Sequence, residues 1–187
     1  NKIVFGSISL DLFAVLLGSV GALLPVFARD VMHIGPEGFG MLRSSSAVGA
    51  MIAAFTLAHR PIRRHAGPKM LAAVAIYGVA TLIFAFSRMF WLSALALAMV
   101  GASDMLSVFV RQTLVQLMTP DHMRGRVAAV STLFISASND LGEFESGIAA
   151  RLLGPIGAAI FGGVGSLLVT GSWARLFPAL RKADRLE

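Results

Sequence analysis

The long apolar runs of this sequence constrain its fold more than any other feature. A helix needs about 17 to 25 consecutive, mostly apolar residues to cross roughly 30 Å of hydrocarbon. The 187 residues contain six such runs, at 3–27, 39–57, 70–86, 91–118, 127–150 and 155–173. Because only short connections remain between them, we predict a single membrane domain over residues 1–187.

The runs are expected to be helices. A backbone inside lipid has to satisfy its own hydrogen bonds, which leaves helices or closed barrels. The runs lack the period-two alternation of barrel strands, and hydrophobic residues make up 56% of the chain. We therefore predict an all-α membrane protein that folds as a bundle of six transmembrane helices.

The basic residues predict the orientation of the bundle. Of the sixteen Lys and Arg residues, eleven lie at the termini and in every second connection, three in the other connections and two within runs. The side richer in Lys and Arg is cytoplasmic by the positive-inside rule. Both ends of the chain should therefore face the cytoplasm, and the protein should lie in the plasma (inner) membrane.

Several function classes are disfavoured by composition and motifs. The net charge of +6 flanks the apolar runs instead of forming one basic face with aromatic residues, so we expect no nucleic-acid partner. The chain has no cysteine, which excludes disulfides and thiolate metal sites. It also has no H-E-x-x-H or G-x-S-x-G motif. We therefore expect that the protein is not an enzyme and that it holds no metal or cofactor. Its expected partners are membrane lipid and a small molecule.

Ionisable residues are distributed unevenly among the runs. The third and sixth runs have none, whereas the other four contain Asp11, Arg43, Asp104, Arg111, Asp140, Glu143 and Glu145. Charge is costly against lipid but tolerated along a cavity. We therefore predict that the third and sixth helices are peripheral and that the other four line an interior. The run without ionisable residues is the third of the first three runs and the third of the last three, which suggests two three-helix repeats.

Asp11 and Asp104 are the first candidates for a proton or substrate pathway. At about 1.5 Å per residue, both are expected roughly 10 to 12 Å from the cytoplasmic face. Each is either a protonatable or substrate-facing acid, or a carboxylate hydrogen-bonded between helices. Arg111 shares a helix face with Asp104, but two turns separate them, so we interpret Arg111 as an anchor that reaches the inner interface.

The densest acidic segment is SASNDLGEFESG, residues 136–147. Asp140 and Glu143 share a helix face, and Arg43 is expected at a depth comparable to that of Asp140. One reading is an ion pair of Arg43 with Asp140 or Glu143, because an unpaired buried charge is costly. The other is an outward-facing vestibule that binds a cation or a proton. Glu145 points away and is interpreted as interfacial.

The segment TPDHMRGRVAAV, residues 119–130, predicts a structured cytoplasmic loop. Pro120 should end the preceding helix, and Gly125 should allow a tight turn. Arg124 and Arg126 can bond helix-end carbonyls or a carboxylate. We assign Asp121, Arg124, Gly125 and Arg126 to a gating loop, with simple topological anchoring as the alternative.

This loop and the following helix resemble the carboxyl half of the major facilitator superfamily, in the drug and siderophore exporter branch that includes the enterobactin exporter. Pro120, Arg124, Gly125, Arg126 and Val127 match its P-x-x-x-R-G-R-V loop. Residues 139–147, NDLGEFESG, match its N-x-L-G-E-F-E-S-G helix. The loop HRPIRRHAGPK, residues 59–69, departs from the superfamily signature, since Arg64 stands where an Asp is expected.

The resemblance implies the carboxyl-terminal half of a twelve-helix transporter built of 3+3 repeats, with a missing six-helix amino-terminal half as its partner. Such a protein would export an amphiphilic small molecule, a drug or a siderophore-like compound, by alternating access coupled to inward proton flow. The alternative is a six-helix module that transports nothing and serves as an assembly partner or scaffold.

Overall fold

The computed structural model describes residues 2–18, 20–60, 62 and 66–177, and these ranges contain helices and connections but no strand. The helices are α1 (Lys2–Gly18), α2 (Val20–Val26), α3 (Pro36–His59), α4 (Ala66–Phe86), α5 (Phe90–Met118) and α6 (Arg124–Leu176). A π-helical turn, Phe27–Val31, follows α2, and a 3₁₀ turn, Asp121–Met123, precedes α6. Within the loop at 59–69, residue 61 and residues 63–65, which include Arg64, lie outside the described residues.

Four helical stretches among the described residues are long and apolar enough to cross a membrane: α3, α4, α5 and Asp121–Leu176. The predicted first run is divided between α1 and α2, which have 17 and 7 residues. The prediction of an all-helical, multi-pass membrane protein is confirmed in this form. The number of six spans stays a prediction.

The last helical stretch contains a break that separates two segments. A straight helix of its 53 residues would be about 80 Å long, far more than a bilayer core. Gly154 interrupts it with a non-helical backbone at φ 76° and ψ 166°, and Pro155 has no amide hydrogen to continue the helical bonds. The break falls between the runs predicted at 127–150 and 155–173, and it divides α6 into segments 124–153 and 155–176.

The helices begin earlier than the hydropathy predicted. α3 starts at Pro36, not at residue 39, and α4 starts at Ala66, not at residue 70. Both first turns contain a charged residue, a glycine and a proline, and these residues fall outside an apolar run. Proline nevertheless fits the first turn of a helix well. The end of α5 was predicted correctly, because Thr119 is extended before Pro120.

Two apolar clusters form the core, with a polar layer between them. On α5, Leu97 belongs to one cluster and Val110 to the other. The buried residues between them include Gly101, Ser103 and Ser107. α5 packs against α3 and α4, while α6 packs against α1, α2 and α4. These contacts place the polar layer of α5 at the centre of the bundle.

The distribution of buried surface differs from the prediction for the charge-free helices. α4 was expected to be peripheral, yet half of its apolar window is buried in this chain, against 17% for α3. Absence of charge did not predict a peripheral position for α4, because its uncharged polar residue Tyr77 reaches the interior. The second charge-free run, 155–173, contributes no residue to the cavity described below.

Candidate functional site

A cavity of about 250 Å³ lies where five helices converge, and we call it the central cavity. It is lined by Val20, Gly21 and Leu24 of α2, Ser46 of α3, Tyr77 of α4, Leu97, Val100, Gly101 and Asp104 of α5, and Asn139 and Glu143 of α6. Apolar side chains thus surround a few converging polar groups, which is the usual composition of a small-molecule site.

The charge of the central cavity is negative. Asp104 and Glu143 both line it, and no Lys or Arg is among its lining residues in the described part of the chain. Neither acid makes an ion pair with a described residue. Both side chains are exposed at the cavity, and a charge within a membrane span is costly when no opposite charge compensates it. The cavity therefore favours ligands that bring a proton or a positive charge.

The acidic segment of α6 is only partly directed into this cavity. Asn139 and Glu143, four residues apart, share the cavity face, whereas Asp140 is rotated away from it. The predicted ion pair of Arg43 is absent: Arg43 is exposed and lies within ion-pair distance of no described acid, including Asp140 and Glu143. Arg43 projects from the exposed side of α3. Because its charge is not buried in this chain, it does not require a counter-ion.

Asp11 lies in a buried polar network next to the cavity. Ser107 Oγ donates a hydrogen bond of 2.8 Å to Asp11 Oδ1, and Arg111 Nη1 lies 2.8 Å from Asp11 Oδ2. The Arg111 and Asp11 side chains are only 3% and 7% exposed. The interpretation of Arg111 as an interfacial anchor was therefore wrong, because an acid on α1 provides it with a buried partner.

A very small void connects Asp11 with Asp104. Its volume is about 10 Å³ and its lining includes both carboxylates, Tyr77, Ser103 and Ser107. A cavity needs about 10 to 15 Å³ by this measure to hold one water molecule. The two acids predicted at a common depth thus lie around one water-sized space, and their depth in the membrane stays a prediction.

The predicted gating loop caps the end of α5. Arg124 Nε donates to the carbonyl oxygens of Gln116 at 3.2 Å and Thr119 at 3.3 Å, and Arg124 Nη1 lies 2.9 Å from Asp121 Oδ1. These bonds are the helix-end and carboxylate contacts expected of Arg124. The tight turn expected at Gly125 is absent, since Gly125 lies inside the first turn of α6.

Tyr77 and Asn139 are polar residues of this region that sequence reasoning did not select as site residues, and Arg111 was selected only as an interfacial anchor. Spacing was the available signal. Asp104, Ser107 and Arg111 recur at i, i+3 and i+7 on one face of α5, and Asn139 precedes Glu143 by one turn.

A bundle of membrane-length helices around a polar cavity is the architecture of a membrane transporter. The family described as transmembrane secretion effector, within the major facilitator superfamily, matches residues 4–187. The chain belongs to this family, which points to a membrane transporter. No curated protein matches the sequence.

Proposed function

We propose that this chain is the carboxyl-terminal six-helix half of a secondary active exporter in the inner membrane, with both ends in the cytoplasm. The exporter moves an amphiphilic small molecule by alternating access and draws energy from inward proton flow. Its partners are the substrate, membrane lipid and an amino-terminal half of six helices.

The central cavity is the observation that carries this proposal. It combines an apolar wall with Asp104 and Glu143, two acids without a paired cation in the described residues. Proton and substrate can both neutralise such a site, and competition between them for one carboxylate is sufficient to couple their movements in opposite directions. Asp104 is our first candidate for this shared group.

Asp11 supports the coupling. It lies across the water-sized void from Asp104 and is held by Ser107 and Arg111. One ordered water in that void would connect the two carboxylates by hydrogen bonds. The proposed proton route therefore runs from the central cavity through Asp104 to the Asp11 network.

The exposed side of α3 supports a missing half. α3 buries only Leu42, Gly49 and Leu57 in this chain, while Met51, Ile52 and Phe55 are exposed. Segment 124–153 of α6 is similarly exposed, with Leu133, Phe134 and Phe144 at its surface. These two apolar surfaces fit an amino-terminal half that closes the central cavity.

The test uses the full-length protein in proteoliposomes with an imposed pH gradient and a fluorescent amphiphilic amine as probe. Asp104→Asn should abolish gradient-driven transport but leave the protein inserted. Asp140→Asn removes the same charge from a residue that does not line the cavity, and it should transport normally. Equal transport by Asp104→Asn, Glu143→Gln and unaltered protein would contradict the proposal.

A further inference from the structure

A second cavity, of about 200 Å³, lies between the end of α5 and the start of α6, and we call it the arginine cavity. Its lining consists of Arg111, Gln112, Val115 and Gln116 from α5 and Ala128, Ser131, Thr132 and Ile135 from α6. Five of these eight side chains are polar, so the cavity offers hydrogen-bond donors from a guanidinium, two amides and two hydroxyls.

The electrostatic character of the arginine cavity is opposite to that of the central cavity. Arg111 is its charged residue, and no acid is among the described residues that line it. Arg124, which bonds the Gln116 carbonyl oxygen, adds a second cation near its edge, although Asp121 pairs with Arg124. An anionic group would therefore find attractive charge here and no carboxylate in the lining, although Asp11 pairs with Arg111 from outside it.

Arg111 also has unused bonding capacity. Its Nη1 faces Asp11, but its buried Nε has no hydrogen-bond partner among the described residues. A buried donor without an acceptor is costly, and an acceptor from a ligand would remove that cost. A guanidinium presents several donors in one plane, so it can hold Asp11 and a second oxyanion.

We infer that the arginine cavity is a binding site for an anionic group, a carboxylate or a phosphate, with Arg111 as the residue that recognises it. Asp11 is the internal competitor for the same guanidinium. A cavity of this size accommodates a head group and not a whole drug-sized molecule, for which about 300 to 1,000 Å³ is usual. The inference does not depend on proton coupling or export.

The test uses protection of a single cysteine in the full-length protein, in nonionic detergent. This chain has no cysteine, and any cysteine of the amino-terminal half is replaced by serine, so Ser131→Cys can report on the arginine cavity and Asn139→Cys on the central cavity. We expect inorganic phosphate or decyl phosphate to slow maleimide labelling of Ser131→Cys, while decanol does not. Labelling of Asn139→Cys should not respond to inorganic phosphate. Protection by decyl phosphate alone means that the ligand is an amphiphile, and protection by both means that the head group is sufficient.

Two further variants make the test specific. Asp11→Asn removes the competitor, so phosphate should protect Ser131→Cys at about tenfold lower concentration, the change expected from one stronger charge-assisted bond. Asp11→Asn combined with Arg111→Gln leaves no buried charge unpaired, so it should fold but lose protection. Equal protection by decanol and decyl phosphate, no protection by either phosphate, or protection that survives in the double variant would each overturn the inference.

Discussion

At the scale of single residues, burial decides what each ion pair contributes. Asp11 and Arg111 are almost fully enclosed, whereas Arg124 and Asp121 are 52% and 87% exposed. Removing one member of a buried pair leaves a charge without compensation. An exposed pair is screened by water and contributes little. The two arginines therefore have different functions, although both contact an aspartate.

We expect Arg111→Gln to destabilise the protein by about 3 to 5 kcal/mol, because the buried Asp11 would lose its counter-ion. Asp11→Asn in the same chain should restore most of that loss. Arg124→Gln serves as the matched control and should change stability by about 0 to 1 kcal/mol. Thermal unfolding in detergent measures all three. A double variant as unstable as Arg111→Gln would show that packing of the arginine, not its charge, is what matters.

The ion pair of Arg29 and Asp30, outside the predicted spans, allows a prediction for the pH dependence of stability. Arg29 Nε lies 2.6 Å from Asp30 Oδ1, and this hydrogen bond lowers the pKa of the Asp30 carboxyl below its ordinary value. The stabilisation is therefore present above the ordinary pKa and is lost as the pH falls through the lowered one. Because both side chains are exposed, we expect Asp30→Asn to leave the acid branch of a melting-temperature profile nearly unchanged. A clear shift of that branch would contradict this expectation.

At the scale of helices, glycines set the distance between α3 and α5. A Cβ atom on Gly49 would overlap the Ala98 carbonyl group, and one on Gly101 would overlap the Ser46 carbonyl group. The two helices therefore touch through their backbones at two places. This contact positions Ser46 against the α5 segment that ends in Asp104, so it also shapes the central cavity.

We expect Gly49→Ala and Gly101→Ala each to destabilise the bundle by about 1 to 3 kcal/mol, because the backbones would have to separate. Gly40→Ala in α3 is the matched control, since a Cβ there meets no atom within 4 Å. It should be neutral or stabilise by up to about 1 kcal/mol, as alanine favours a helix. Equal melting temperatures for Gly49→Ala and Gly40→Ala would show that the close contact is not maintained in solution.

The break in α6 makes a second test at this scale. Gly154 has φ 76°, a conformation that residues with a side chain rarely adopt. Gly154→Val should therefore destabilise the protein by about 1 to 3 kcal/mol. Gly147→Ala, in helical backbone with open space around it, should not. Equal melting temperatures for the two variants would show that the break between segments 124–153 and 155–176 does not need the conformation of Gly154.

The sequence predicted the positions of the helices better than the contacts between side chains of different helices. Hydropathy located each apolar run, because lipid imposes the same requirement on every span. It also predicted one level for Asp11 and Asp104, which lie around one water-sized void. It did not find the bond of Arg111 to Asp11, because depth along one helix says nothing about tilt or rotation relative to a helix a hundred residues away. The same limit explains why Arg43 was given a partner that it does not have.

At the scale of the whole molecule, the helices that cross the membrane decide the topology, and labelling from its two sides can test four of these crossings. Single cysteines at His33, Met89 and Leu152 should react with an impermeant maleimide added from outside, because they lie in the connections poor in Lys and Arg. Cysteines at His59 and His122 should react only after the membrane is opened. This alternation requires that α3, α4, α5 and segment 124–153 each cross the membrane once. Labelling of Leu152 and His122 from the same side would show that segment 124–153 does not cross the membrane. External labelling of His59 or His122 would contradict the predicted orientation.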